Sequence, residues 1–163
     1  MRIFVALRDG EPPFQPEVIA FEMDVDQILR LDHAPSMPEE TSDELVAAMS
    51  EPARHRVGYV VWVPGEPACA LLMVHDLQRD PSWDEAGIAA ALGNLLDESA
   101  ARGAVHIALP MIGTVHGRMA PDRFPTLLHA ALVRAEDPPE EIWVMAEDAE
   151  VVSTVRPMLE EAG

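Results

Sequence analysis

At 163 residues the chain has the size of one domain, large enough to bury roughly 70% of the surface its unfolded form exposes. A hydrophobic share of 48% and a charged share of 25% exclude wholesale disorder, and no apolar run reaches the ~18 residues of a membrane span. The 29 acidic against 11 basic residues leave a formal charge of −18, which repels nucleic-acid backbones and anionic membranes but leaves room for a small phosphate held by local backbone dipoles.

All 11 basic residues are arginine, which together with many Ala and Pro points to a GC-rich bacterial genome. The single cysteine, Cys69, has no internal disulfide partner and lies in an apolar run, as expected for a core thiol in a reducing compartment. Met1-Arg2-Ile3 leads straight into a strand-like run rather than a signal peptide, so the expected location is cytoplasmic.

Arg2 to Leu7 reads as a first strand, ended by Asp9-Gly10 and the prolines at 12, 13 and 16. Val18 to Met23 alternates less cleanly and is a second strand. Val25, Ile28 and Leu29 share a face of a short helix over Asp24–Leu31. His33 to Glu40 is loop, and Thr41 with Glu44 forms a capping box for a helix through Met49, with Pro52 after its end. Val57–Val63 and Ala68–His75 are β-rich runs joined by Pro64-Gly65-Glu66-Pro67, a hairpin pattern that predicts antiparallel pairing.

Ser82 with Glu85 is a second capping box, and Ile88, Ala91, Leu92, Leu95 and Ser99 line one face of a long helix stopping at Gly103. Ala104 to Leu109, short, mostly apolar and closed by Pro110, is expected to be a central strand buried on both faces. A loop with Gly113 and Gly117 follows. Phe124, Leu127, Leu128, Ala131 and Ala135 then recur at helical spacing over 122–135. Asp137-Pro138-Pro139 is loop, and Ile142–Ala146 is a last strand. Val151, Val152, Val155 and Leu159 repeat as in a helix, but Pro157 should kink or break it. The later strands, linked by helices, should be parallel and central in a mixed sheet with helices on both faces. Trp83, Ile88, Leu92, Leu95, Phe124, Leu128 and Leu132 are expected to face the core.

The junction of strand, glycine loop and helix at 104–135 is where α/β proteins bind ligands, because free helix amides point outward and glycines let a ligand approach the backbone. The backbone of Gly113, Thr114, Val115, His116, Gly117 and Arg118 is therefore the candidate phosphate cradle, with Arg118 adding a charge-assisted contact. The bland alternative is a tight turn whose glycines only permit the chain reversal.

Several residues in this order resemble the macro domain, the ADP-ribose-binding α/β module. Val74-His75 stands where that family ends its hairpin in a valine/isoleucine-histidine pair. Gly103 with Ile107-Ala108-Leu109-Pro110 matches its helix-ending glycine and Ile-Ala-x-Pro strand. Pro110-Met111-Ile112-Gly113-Thr114-Val115-His116-Gly117 is similar to its phosphate loop, Pro-x-Ile-Ser/Gly-Thr-Gly-x-x-Gly. The resemblance covers 57–163 and implies a three-layer α/β/α macro-like domain over 1–163, of which 1–56 is a divergent part. Val115 replaces a family glycine, nothing in 1–56 looks like the Asn-Ala-Ala-Asn segment of hydrolase members, and Met145 and Ala146 stand where an aromatic often stacks on adenine.

The resemblance implies binding of ADP-ribose or a related nucleotide or phosphate ligand without catalysis. Its rivals are a protein-interaction module that keeps only the scaffold, with a protein partner, and an ADP-ribosyl hydrolase using His116 or an N-terminal acid. His75-Asp76 could hold an oriented imidazole, His106 reads as a satisfied core or edge histidine, and His33 and His55 sit in polar loops. Asp80, Asp84 and Glu85 read as turn and helix-start charges. No Cys/His/carboxylate spacing suits a metal, no serine-nucleophile or Walker motif is present, and no cofactor is called for.

Overall fold

The structure is a computed structural model and describes residues 1–27 and 54–160. Six strands form one sheet: β1 (Arg2–Leu7), β2 (Val18–Asp24), β3 (Val60–Val63), β4 (Ala68–His75), β5 (His106–Pro110) and β6 (Glu141–Ala146), in the order β1-β6-β5-β2-β4-β3. Every neighbouring pair is parallel except β3 with β4, whose antiparallel register pairs Val61 with Leu71. Three helices complete the described elements: α1 (Glu85–Ala101), α2 (Arg123–Arg134) and α3 (Ala149–Glu160). None is long and apolar enough to cross a membrane.

The architecture is the expected mixed α/β sheet, and the predicted central strand lies inside it between β6 and β2. Ile107, Ala108 and Leu109 are buried, as a parallel strand covered on both faces requires. The strand spans His106–Pro110 rather than Ala104–Leu109, because the Ala104 N–H turns back to the Ser99 carbonyl and the Val105 N–H goes to the Glu17 carboxylate. β2 is fully buried along its length and sits between β5 and β4. Its imperfect alternation in sequence reflects burial on both faces.

Two apolar clusters cover the sheet. On one face Val18, Ala20, Leu72, Ile107 and Val144 pack under α1, α2 and α3 through Ile88, Leu92, Leu95, Phe124, Leu128 and Val155. On the other Ile19, Phe21, Met23, Cys69, Leu71 and Trp143 are equally buried. The residues expected in the core are there: Ile88, Leu92, Leu95, Phe124 and Leu128 are inaccessible, Leu132 is buried, and Trp83 is half-buried against the same cluster.

Four local expectations are corrected. Asp84, not Ser82, caps α1: its backbone is extended, and its Oδ1 receives the Gly87 N–H at 2.7 Å. The second hairpin run begins at Val60 rather than Val57, because Gly58 takes a left-handed φ of 89° and turns the chain into the sheet. Pro157 does not end the last helix, which runs through it to Glu160 while Val155 and Leu159 remain anchored in the core. Asp24 closes β2 and Val25-Asp26 turn, so the predicted helix from Asp24 does not start there. The rest of that helix, the loop at 33–40 and the Thr41–Met49 helix lie outside the described residues.

Candidate functional site

The C-terminal ends of β2, β4, β5 and β6 lie at the same end of the sheet, where parallel α/β proteins place their ligands. β2 and β5 pair only over Val18–Ile19 against Ile107–Ala108. Beyond that pairing, the loop following β5 is tied across to β2. Glu22 has the parity of Val18 and Ala20, so it points to the helix-covered face, and its Oε2 accepts the Gly113 N–H at 2.8 Å. Its Oε1 bonds the Nε2 of His75, whose Nδ1 lies 3.0 Å from the Ser82 hydroxyl. His75 is 1% exposed and Glu22 8%. Burying a carboxylate is tolerable only with such partners, so the network fixes β2, β4, the chain before α1 and the 113 loop relative to one another.

The loop is closed by its own bonds. The Thr114 amide and hydroxyl both donate to the Met111 carbonyl, and the Met119 amide donates to the Gly113 carbonyl at 2.8 Å. Gly113 is obligatory: its φ is +86°, and a Cβ there would stand 2.4 Å from Ile88 Cδ1. Gly117 is needed for close approach, since its Cβ would meet the Gly113 carbonyl at 2.6 Å and the Trp83 ring at 2.7 Å. Arg118 carries a φ of 55°, a left-handed conformation uncommon for a residue with a side chain.

All six candidate cradle residues thus lie in one loop at the strand ends, with different surroundings. Gly113 and Gly117 are buried, Thr114 and Val115 half-buried, and His116 and Arg118 exposed. The amides of Gly113 and Thr114 are engaged internally, whereas among the described residues those of Val115, Gly117 and Arg118 have no protein acceptor. The His116 ring meets the His75 ring edge-on at 6.0 Å. Beside the loop a crevice of about 210 Å³ opens between Thr114, Val115 and Pro121 on one side and Met145, Asp148 and Val151 on the other. A neighbouring hollow of about 260 Å³ shares Pro121, Asp148 and Val151. Two of the rim carboxylates are committed: Glu147 pairs with Arg8 at 2.6 Å, and Asp148 Oδ1 receives the Val151 N–H at the start of α3.

Of the other sequence candidates, His106 is about one-third exposed and stands 3.6 Å from the buried Glu141, a satisfied histidine at the partly exposed start of β5 rather than in the core. Asp84 and Glu85 act at the helix start as expected, and Glu85 also forks onto Arg123 at the start of α2. The Arg123 hydrogen bonds hold the Glu85 carboxyl below its ordinary value and raise the guanidinium above its own. Neither Glu22 nor Ser82 stands in a site motif of the sequence. The signal for Glu22 was an acid inside an otherwise apolar strand, a pattern that demands a buried partner.

No family model matches the sequence, and no characterised protein does either. Solved structures do. The macrodomain of Oceanobacillus iheyensis with ADP superposes with a TM-score of 0.72 at 15% identity, over 98% of this chain and 89% of that one. The chain has the macro-domain fold. A variant of the same macrodomain solved with ADPR gives a TM-score of 0.71 at 15% identity, over 98% and 91% of the two chains. The macro domain of ganglioside induced differentiation associated protein 2 gives 0.72 at 9% identity, over 99% and 84%. At such identities the macro fold is what is shared, and the side chains at the strand ends are this chain's own.

Proposed function

We propose that the chain is a single macro-like domain that binds ADP-ribose or a related nucleotide or phosphate ligand at the loop Gly113, Thr114, Val115, His116, Gly117 and Arg118, without turning it over. The observation that carries this reading is the crevice beside that loop, walled by Val115 and Met145 at the strand ends. Support comes from the unengaged amides of Val115, Gly117 and Arg118, from the exposed Arg118 guanidinium, and from the fold shared with proteins solved with ADP and ADPR. The apolar wall of Met111, Val115, Met145 and Val151 suits the base and ribose better than the phosphates, because Glu147 and Asp148 lie on the same rim. The phosphates then belong on the loop side, near Arg118.

A protein-interaction module is the second reading. It is favoured by the Val115 side chain, which stands where a phosphate would approach the backbone, and by the acidic rim. The hydrolase alternative gains no support from β2, which carries Phe21-Glu22-Met23-Asp24 and no asparagine.

Thermal-shift and calorimetric titration with ADP-ribose, ADP, AMP and NAD tests the first reading. A ligand at 100 times its Kd stabilises the fold by about 2.7 kcal/mol. Arg118→Ala should weaken binding by about 1.5–3 kcal/mol, and Gly117→Val should abolish it. Val115→Gly should raise affinity, with folding checked in parallel. A flat response of the parent and of folded Val115→Gly to all four ligands leaves the interaction module.

A further inference from the structure

The buried network around His75 links three side chains through consecutive hydrogen bonds, Ser82 to His75 to Glu22. A carboxylate only accepts hydrogen bonds, and Glu22 accepts on both oxygens, from Gly113 N–H and from His75 Nε2. The acceptor at Nε2 places the imidazole proton on that nitrogen, so Nδ1 presents a lone pair, and the Ser82 hydroxyl lies 3.0 Å from it. A serine hydroxyl donating to an imidazole whose other nitrogen is held by a buried acid is the arrangement of an activated nucleophile.

The burial is graded in the sense such a site requires. His75 is 1% exposed, while Ser82 is half-buried. The Ser82 carbonyl receives the Asp76 N–H at 2.7 Å, which fixes its backbone. The next residue, Trp83, is half-buried against Gly117 of the loop, and His116 meets the His75 ring edge-on.

We propose that Ser82, His75 and Glu22 form a nucleophile, base and positioning acid that hydrolyse small carboxylic esters. Ser82 Oγ attacks the carbonyl carbon and its proton passes to His75 Nδ1. The bond to the alcohol oxygen breaks, and the alcohol leaves with that proton, giving acyl-Ser82. A water molecule then attacks the acyl carbon and delivers its proton to Nδ1. The carboxylic acid leaves as the Ser82 hydroxyl regains that proton, and Glu22 holds the imidazole in the working tautomer throughout. The half-buried setting of Ser82 beside Trp83 limits the acyl group to a short chain. Glu22 also holds the Gly113 amide, so this site and the candidate ligand loop share that one residue.

The test uses the full chain with p-nitrophenyl acetate and, separately, a fluorophosphonate followed by intact-mass and peptide mapping. The expected results are a single adduct on Ser82 and a kcat/KM at least roughly 10²-fold lower in Ser82→Ala, with Ser153→Ala on exposed α3 as an unaffected control. Glu22→Gln should lower kcat by roughly 10²–10⁴-fold with KM little changed, because an amide donor at Nε2 selects the wrong tautomer. Glu22→Asp should recover part of that loss. Ser82→Ala is half-buried and should fold, so the Ser82 adduct and its rate decide the matter whether or not the Glu22 variants do. Turnover within about twofold of the parent in folded Ser82→Ala, or no adduct on Ser82, would show that the network is only a structural brace.

Discussion

Glu22 on β2 and Gly113, 91 residues later, are joined by a 2.8 Å hydrogen bond from the Gly113 amide to the Glu22 carboxylate. Through that bond the conformation of the candidate ligand loop depends on a side chain in the middle of the sheet. Gly113→Ala should therefore disturb more than the loop. The new methyl meets Ile88 Cδ1, and the left-handed φ is unfavourable for alanine. The expected loss is about 1–3 kcal/mol, a fall of several degrees in Tm for a chain of this length. A Tm within about 1 °C of the parent would contradict the geometry at Gly113.

The helix faces make a second prediction. Leu92 and Leu128 are both inaccessible and belong to the cluster that joins α1 and α2 to the sheet. Truncation of either to alanine leaves a cavity in a packed interior and should cost about 2–5 kcal/mol in urea unfolding, with an unchanged m-value.

Acid should weaken the seam between β2 and β5. Glu17 receives the Val105 and His106 amides at 2.7 and 3.0 Å, and the Val105 bond above all holds its carboxyl below the ordinary value, with desolvation opposing and the His106 bond and charge adding to the lowering. A depressed folded-state pKa contributes stability that is present above the unfolded value, about 4.3, and lost as pH falls through the folded value. Glu17 is exposed, so water screens the effect and it should be worth under about 1 kcal/mol. Stability curves of the parent and Glu17→Gln should accordingly separate above about pH 5 and converge as pH falls below the ordinary carboxylate range. Curves that stay parallel over this range would contradict the linkage.

Cys69 should be chemically silent in the native chain. It is fully buried on β4, and burial pushes its thiol up to about 11. At pH 8 the nucleophilic thiolate is scarce and inaccessible, so a thiol reagent should react at the rate of global unfolding and promptly in denaturant. Prompt reaction without denaturant would contradict its burial.

Local pattern carried most of the element assignments. The spacing of Ile88, Leu92 and Leu95 and of Phe124 and Leu128 sufficed to place two helices and their buried faces, because a helix stripe is written in neighbouring residues. The apolar run before Pro110 likewise marked a strand buried on both sides, and the glycines at 113 and 117 marked the turn above it. The resemblance of that loop to a phosphate loop reached the fold from 57–163 alone.

Other features were decided by residues far apart in the chain. Pro157 is compatible with α3 because Val155 and Leu159 are fastened into the core, a tertiary gain that no local propensity contains. Asp84 rather than Ser82 caps α1 because the helix begins at Glu85, and the Ser82 hydroxyl, two residues before the cap, meets His75 on β4. The pairing of Glu22 with His75 and Gly113 was out of reach for the same reason. A buried charge declares in sequence that it needs partners, but which groups meet it depends on sheet order, and the order β5-β2-β4 is set by packing over the whole chain.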